Sequence, residues 1–134
     1  MVGAPGSGKT AALLDLKECL HCPYVNVNLA LSERLLEVPI SERAMRAAEI
    51  LDDMVDLSAG IVLLDNLELL FDIELRLHPL TWLRRVSRNR TVVAAWGGNV
   101  EGSFVTYAEQ GHREYRRDWA GDILVVSSVA AYQS

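Results

Sequence analysis

The sequence predicts an α/β fold in which a mostly parallel sheet is covered on both faces by helices. Three observations carry that expectation. Short apolar runs alternate along the chain with segments of helical periodicity, and strands that alternate with helices pack as parallel layers. A glycine-rich turn, GAPGSGKT at Gly3 to Thr10, opens directly into a helical segment. The most apolar run, Ile61-Val62-Leu63-Leu64, ends in a single aspartate, Asp65. A chain of 134 residues fits one domain, residues 1 to 134.

In chain order, the turn leads into a helix that ends near Cys19 to His21. Tyr24 to Leu29 alternates apolar and polar residues as a half-buried strand does. Ser32 to Glu37 reads as one short helical turn before Pro39. From Ser41 to about Asp56, Ala44, Met45, Ala48, Leu51 and Val55 recur at helical spacing, with Ser41 as N-cap. Ile61 to Leu64 is a strand covered on both faces, followed by a helical turn over Leu67 to Phe71. Pro79, suited to a first helical position, opens a helix that runs to about Arg88. Thr91 to Trp96 is a buried strand, and Gly97, Gly98, Asn99 and Gly102 mark a turn after it. Phe104 to Tyr107 reads as an edge strand, and Ile123 to Ser127 as the last strand.

Composition narrows the function classes. Half the residues are apolar and 23% are charged, which supports a packed core and excludes disorder. A net charge of −5 argues against a general nucleic-acid coat or a polybasic membrane binder. No apolar run is long enough to span a membrane, and the first residues are not a signal peptide. Two cysteines make no disulfide framework, so the expected setting is cytoplasmic.

Gly3, Gly8, Lys9 and Thr10 match G-x-x-x-x-G-K-[ST] ahead of a helix. Glycines let the backbone of Ala4, Pro5, Gly6 and Ser7 curl so that N–H groups converge on phosphate oxygens. The helix through Ala11 points its positive end at the same anion. Lys9 is expected to reach the β- and γ-phosphates, and the Thr10 hydroxyl to ligate Mg²⁺. Asp65, at the tip of an apolar strand, is the expected acidic partner of the metal.

One strand precedes the Asp65 strand and one follows it, the count of the additional-strand (ASCE) class of three-layer P-loop NTPases. The strand that should lead into the turn is truncated to Met1 and Val2, which predicts a natural start further upstream. In that class an acidic residue usually follows the aspartate and polarises the attacking water. Here that place holds Asn66, which orients water but accepts no proton, so Glu68 and Glu33 are the candidate bases.

Two arginine clusters stand out. Arg84, Arg85, Arg88 and Arg90 close a helix, where they suit its C-terminal dipole or a DNA contact. Arg116 and Arg117, just ahead of the last strand, are candidate arginine fingers in a homo-oligomer, set against ion pairing with Glu114 and Asp118. Trp96 and Asn99, after the strand expected beside the γ-phosphate, are candidate phosphate sensors. Cys19 and Cys22 have C-x-x-C spacing without a second pair, and read as packed thiols.

Together, GAPGSGKT, PYVNVNLALSERLLE, VLLDNLELLFD, VSRNRTVVAAW and TYAEQGHREYRRD resemble the BrxF family, small P-loop proteins of BREX bacteriophage-exclusion systems. The resemblance spans nearly the whole chain and implies an ATPase-like component of antiphage defence that works with other BREX proteins. The expected activity is therefore Mg²⁺-dependent binding and hydrolysis of ATP. The alternatives are a nucleotide-sensing subunit that barely hydrolyses, for which Asn66 speaks, and a DNA-loading ATPase, for which Arg84 to Arg90 speak. No Asn-Lys-x-Asp guanine motif is present, which favours ATP over GTP.

Overall fold

The computed structural model of the chain describes residues 1–3, 8–55 and 59–126. Three parallel strands form its central sheet: β1 (Tyr24–Asn26), β2 (Ile61–Asp65) and β3 (Thr91–Ala94), with β2 in the middle. Val2 bridges Trp96 in parallel, and Gly3 donates to the Trp96 carbonyl at 3.0 Å, so residues 1–3 extend the sheet beyond β3. On their far side Val2 donates to the Val126 carbonyl at 2.8 Å. The ribbon entering the glycine turn is thus separated from the Asp65 strand by β3. Because the strands are parallel, Gly3, Asp65 and Asn26 all end at one edge of the sheet, with Asn26 in register with Asp65.

Strand β2 is buried on both faces, and its side chains alternate between two packing layers. Leu63 packs with Leu13 of helix α1 (Lys9–Leu20) and with Ala95. Val62 and Leu64 face the larger layer, made by α2 (Val27–Leu35), α3 (Arg43–Met54) and α4 (Pro79–Val86). At about 25 cal/mol per Å² of apolar surface, fully burying each such leucine is worth about 1.5–3 kcal/mol. A second sheet follows, antiparallel, of β4 (Asn99–Glu101), β5 (Phe104–Tyr107) and β6 (Arg116–Trp119) in that order. It docks through Val105 and through Tyr107, which stacks on Phe71.

Several expected elements change. The strand at Tyr24 stops at Asn26, and the alternation Val27 to Leu29 belongs to α2. The Asn26 side chain accepts from the Leu29 N–H at 3.1 Å and caps that helix, while Val27, Leu31 and Leu35 repeat every four residues on its buried side. The turn placed over Ser32 to Glu37 is therefore the second half of a longer helix. Ser41 is not an N-cap: it lies in a 3₁₀ turn, Ile40–Glu42, ahead of α3. The buried side of α3 is Ala47, Ile50 and Leu51, whereas Met45 and Ala48 are exposed. Phe104 to Tyr107 is the middle strand of the second sheet, not an edge, and Asn99 is in a strand, not a turn. Ile123 to Val126 form no strand, and Ser127 is outside the described residues. No helix among the described residues is long and apolar enough to cross a membrane.

Candidate functional site

Helix α1 opens at Gly8, whose φ of 93° is a left-handed conformation that costs glycine nothing. The N-cap is Gly8 itself, so no N-cap side chain takes up the N–H groups that open the helix. Lys9, the first helical residue, is buried and sends its ammonium back across the turn to the Gly3 carbonyl at 2.6 Å. Ala4, Pro5, Gly6 and Ser7 lie outside the described residues. Ala11 is exposed on the first turn of α1.

Packing of Leu13 on Leu63 lays the start of α1 over the sheet edge where β2 ends. The Thr10 hydroxyl there donates to Asp65 Oδ2 at 2.7 Å, joining residues 55 apart in sequence. Asp65 is only 2% exposed, and its other oxygen, Oδ1, accepts from the Asn66 N–H at 2.9 Å. A second hydroxyl, from Tyr24, also donates to Oδ2 at 2.7 Å. Register explains its arrival: Tyr24 is the partner of Leu63, and Leu63 and Asp65 share one face of β2. Burial first, and then the Asp65 hydrogen bond and charge, push the Tyr24 phenol up to about 12.

Beyond Asp65 the chain turns sharply. Asn66 takes φ 55°, a left-handed conformation that asparagine tolerates better than most residues, and its carbonyl accepts the Asn28 N–H at 2.9 Å. The Asn28 side chain then bridges two groups: its oxygen accepts from the Leu69 N–H at 2.7 Å, and its nitrogen donates to Glu68 Oε2 at 3.1 Å. Glu68, in the 3₁₀ turn Glu68–Phe71, places Oε1 against Gly97, 3.2 Å from where a β-carbon would stand. The Tyr107 phenol is raised by burial, then by the Glu68 and Glu114 charges. A carboxylate is therefore fixed at the sheet edge between the start of α2 and the end of β3.

The structure brings Thr10, Asp65, Asn66 and Glu68 together and leaves other candidates elsewhere. Glu33 is exposed on α2, and among the described residues no hydrogen bond or ion pair ties it to this site. The Trp96 ring is buried, edge-on to Phe71, and donates to the Thr106 carbonyl at 3.0 Å, which leaves no phosphate-sensing group. Asn99 is exposed in β4, opposite Thr106. Arg116 is engaged by the Leu77 carbonyl at 3.4 Å and Asp118 at 3.4 Å; Arg117 by Glu101 at 3.5 Å and the Phe104 ring. In the first arginine run, Arg84 pairs with Asp122, Arg85 with Asp52, and Arg90 donates to the Val86 carbonyl. Three of the four arginines on which a DNA contact rested thus have partners within the fold, and Arg88 has none for its side chain among the described residues. Both cysteines are free thiols, Cys19 exposed and Cys22 partly so. Sequence reasoning missed Tyr24 and Asn28, which read there only as members of an alternating run.

Thr10 and Asp65 are a hard-oxygen pair of the kind that suits Mg²⁺, which keeps several waters and is held by one or two carboxylates plus phosphate. Among the described residues no group of three or more His, Cys, Asp or Glu forms a metal cage. Comparison of the chain with family models, curated proteins and solved structures finds no match.

Proposed function

We propose that the chain is a P-loop domain that binds ATP with Mg²⁺ and hydrolyses it slowly. The observation that carries this reading is the Thr10–Asp65 hydrogen bond at 2.7 Å, which unites two motif residues 55 apart at the end of a helix whose N-cap is Gly8. The N–H groups opening α1 bind phosphate oxygens, and Lys9 exchanges the Gly3 carbonyl for phosphate. Thr10 and Asp65 hold Mg²⁺, which when bound neutralises phosphate charge and polarises the bond to the leaving oxygen. Glu68, held by Asn28, is the proton acceptor for water, and Asn66 orients that water. Asn66 in the position of a direct base accounts for slow turnover. The resemblance to the BrxF family supports an antiphage setting with other BREX proteins as partners.

Calorimetric titration with ATP and Mg²⁺, together with phosphate release, tests this reading. Uptake is expected in the native chain and is lost in Lys9→Ala and Asp65→Asn. Glu68→Gln keeps uptake while turnover falls by roughly 10²–10⁴. Folded native protein that takes up no ATP refutes the reading. Uptake with no turnover under any condition selects the second reading, a nucleotide-sensing subunit, which the amide at Asn66 favours.

A further inference from the structure

Most arginines in this fold have a side-chain partner. Arg34, Arg46, Arg84, Arg85, Arg116 and Arg117 each lie within 3.6 Å of a carboxylate. Arg43 and Arg90 donate to backbone carbonyls. Of the eleven arginines in the sequence, that leaves Arg76, Arg88 and Arg113 with no side-chain partner among the described residues. Two of those three, Arg76 and Arg113, line one concavity of about 380 Å³.

The concavity lies between the 3₁₀ turn Ile73–Leu75 and strand β6, and its walls are fixed. Arg76 closes that turn at φ 53°, its N–H bonded to the Ile73 carbonyl at 3.3 Å. Arg116 lines it as well, with one guanidinium nitrogen 3.4 Å from His78 Nδ1. Tyr115 adds an aromatic wall. Of the three acidic lining residues, Asp118 is ion-paired with Arg116 at 3.4 Å, and Asp72 accepts the Glu74 N–H at 3.0 Å. Asp72 keeps its charge on accepting one N–H, so Asp72 and Glu114 both oppose the two guanidinium groups of Arg76 and Arg113. With Arg117 the lining holds four arginines against three carboxylates, an excess of one positive charge in a chain of net charge −5, and a concave setting focuses such a field on anions.

We propose that this concavity binds a phosphate ester of nucleotide size, gripped by Arg76 and Arg113 alongside Arg116 and His78. A guanidinium fork matches two phosphate oxygens at once, which a carboxylate-paired arginine can no longer do. The volume lies in the range of small-ligand pockets. None of the lining residues belongs to the Gly3–Thr10 turn or to Asp65, so this site goes beyond the proposed ATPase site. The phosphate ester is either a free mononucleotide or the phosphate of a single-stranded nucleic acid.

The full chain carrying Lys9→Ala, in EDTA, isolates this site from the first. Calorimetry with AMP, and anisotropy of a labelled 5′-phosphorylated single-stranded DNA oligonucleotide, read binding directly, with inorganic phosphate as competitor. Saturable binding of at least one probe is expected. Arg113→Gln and Arg76→Gln should each weaken it about tenfold or more, and Arg88→Gln, a partnerless arginine outside the concavity, should not. Arg113 is exposed and has no side-chain partner among the described residues, so its variant folds even if Arg76→Gln disturbs the turn. AMP alone binding identifies a free mononucleotide; the oligonucleotide alone, with two lost contacts lowering its salt dependence, identifies a nucleic-acid strand. No saturable binding of either probe, or binding that Arg113→Gln leaves intact, overturns the proposal.

Discussion

At the residue scale, Asp65 is a buried carboxylate whose oxygens accept from Thr10, Tyr24 and Asn66. Such a charge is retained in an interior only when donors surround it. Tyr24 is the donor with a readable titration. Its folded pKa is raised from 10.0 to about 12, so the protonated phenol is favoured by folding. The stability it contributes is complete below pH 10 and is lost as pH rises from there through about 12. Tyr24→Phe should therefore flatten part of the alkaline loss of stability, read as urea midpoints of the two proteins from neutral pH to pH 11. Equal slopes in both proteins would show that Asp65 is held by Thr10 and Asn66 alone.

At the element scale, the second sheet meets the first at the pair Gly97-Gly98. A β-carbon on Gly98 would stand 1.7 Å from the Thr106 carbonyl oxygen, a backbone atom that cannot rotate away. The same carbonyl accepts the Trp96 indole. Gly98→Ala should consequently cost about 1–3 kcal/mol or more by overpacking, seen as a lower urea midpoint. Gly102→Ala, where nothing lies within 4 Å but φ is +60°, should cost only about 1 kcal/mol. If the two variants behave alike, the close approach at Gly98 is not what holds the sheets together.

At the scale of the whole molecule, a ligand that bridges the start of α1 to the end of β2 ties together layers that otherwise meet through the packing of Leu13 on Leu63 and the Thr10–Asp65 hydrogen bond. Binding to the folded state alone stabilises it by mass action, about 2.7 kcal/mol at a hundred times the Kd. For a chain of this size ATP with Mg²⁺ should raise Tm by roughly 10 °C. The same additions to Asp65→Asn should raise it little, and a rise that survives in that variant would place the nucleotide elsewhere. The Arg84–Asp122 and Arg85–Asp52 pairs, which link α4 to the segment after β6 and to α3, lie outside that link. Asp122 is held below its ordinary value by the Arg84 hydrogen bond.

What the sequence by itself determined is local: the helix that follows the glycine turn, the apolar strand ending in Asp65, and Pro79 opening α4, because capping, fixed φ and unbroken apolar runs act within a few residues. It misjudged Tyr24 to Leu29 because a four-residue apolar repeat and a two-residue alternation overlap there, and only the Asn26 cap decides between them. It placed Asn99 and Trp96 beside a phosphate because chain order says which strand ends nearby but not which way a side chain turns. Tertiary structure alone decided that Tyr24 reaches Asp65, that Asn28 fixes Glu68, and that Arg84, Arg85 and Arg90 find partners within the fold while Arg76 and Arg113 have no side-chain partner among the described residues. Those facts depend on strand register and layer packing, which join residues tens of positions apart and leave no periodic mark in the chain.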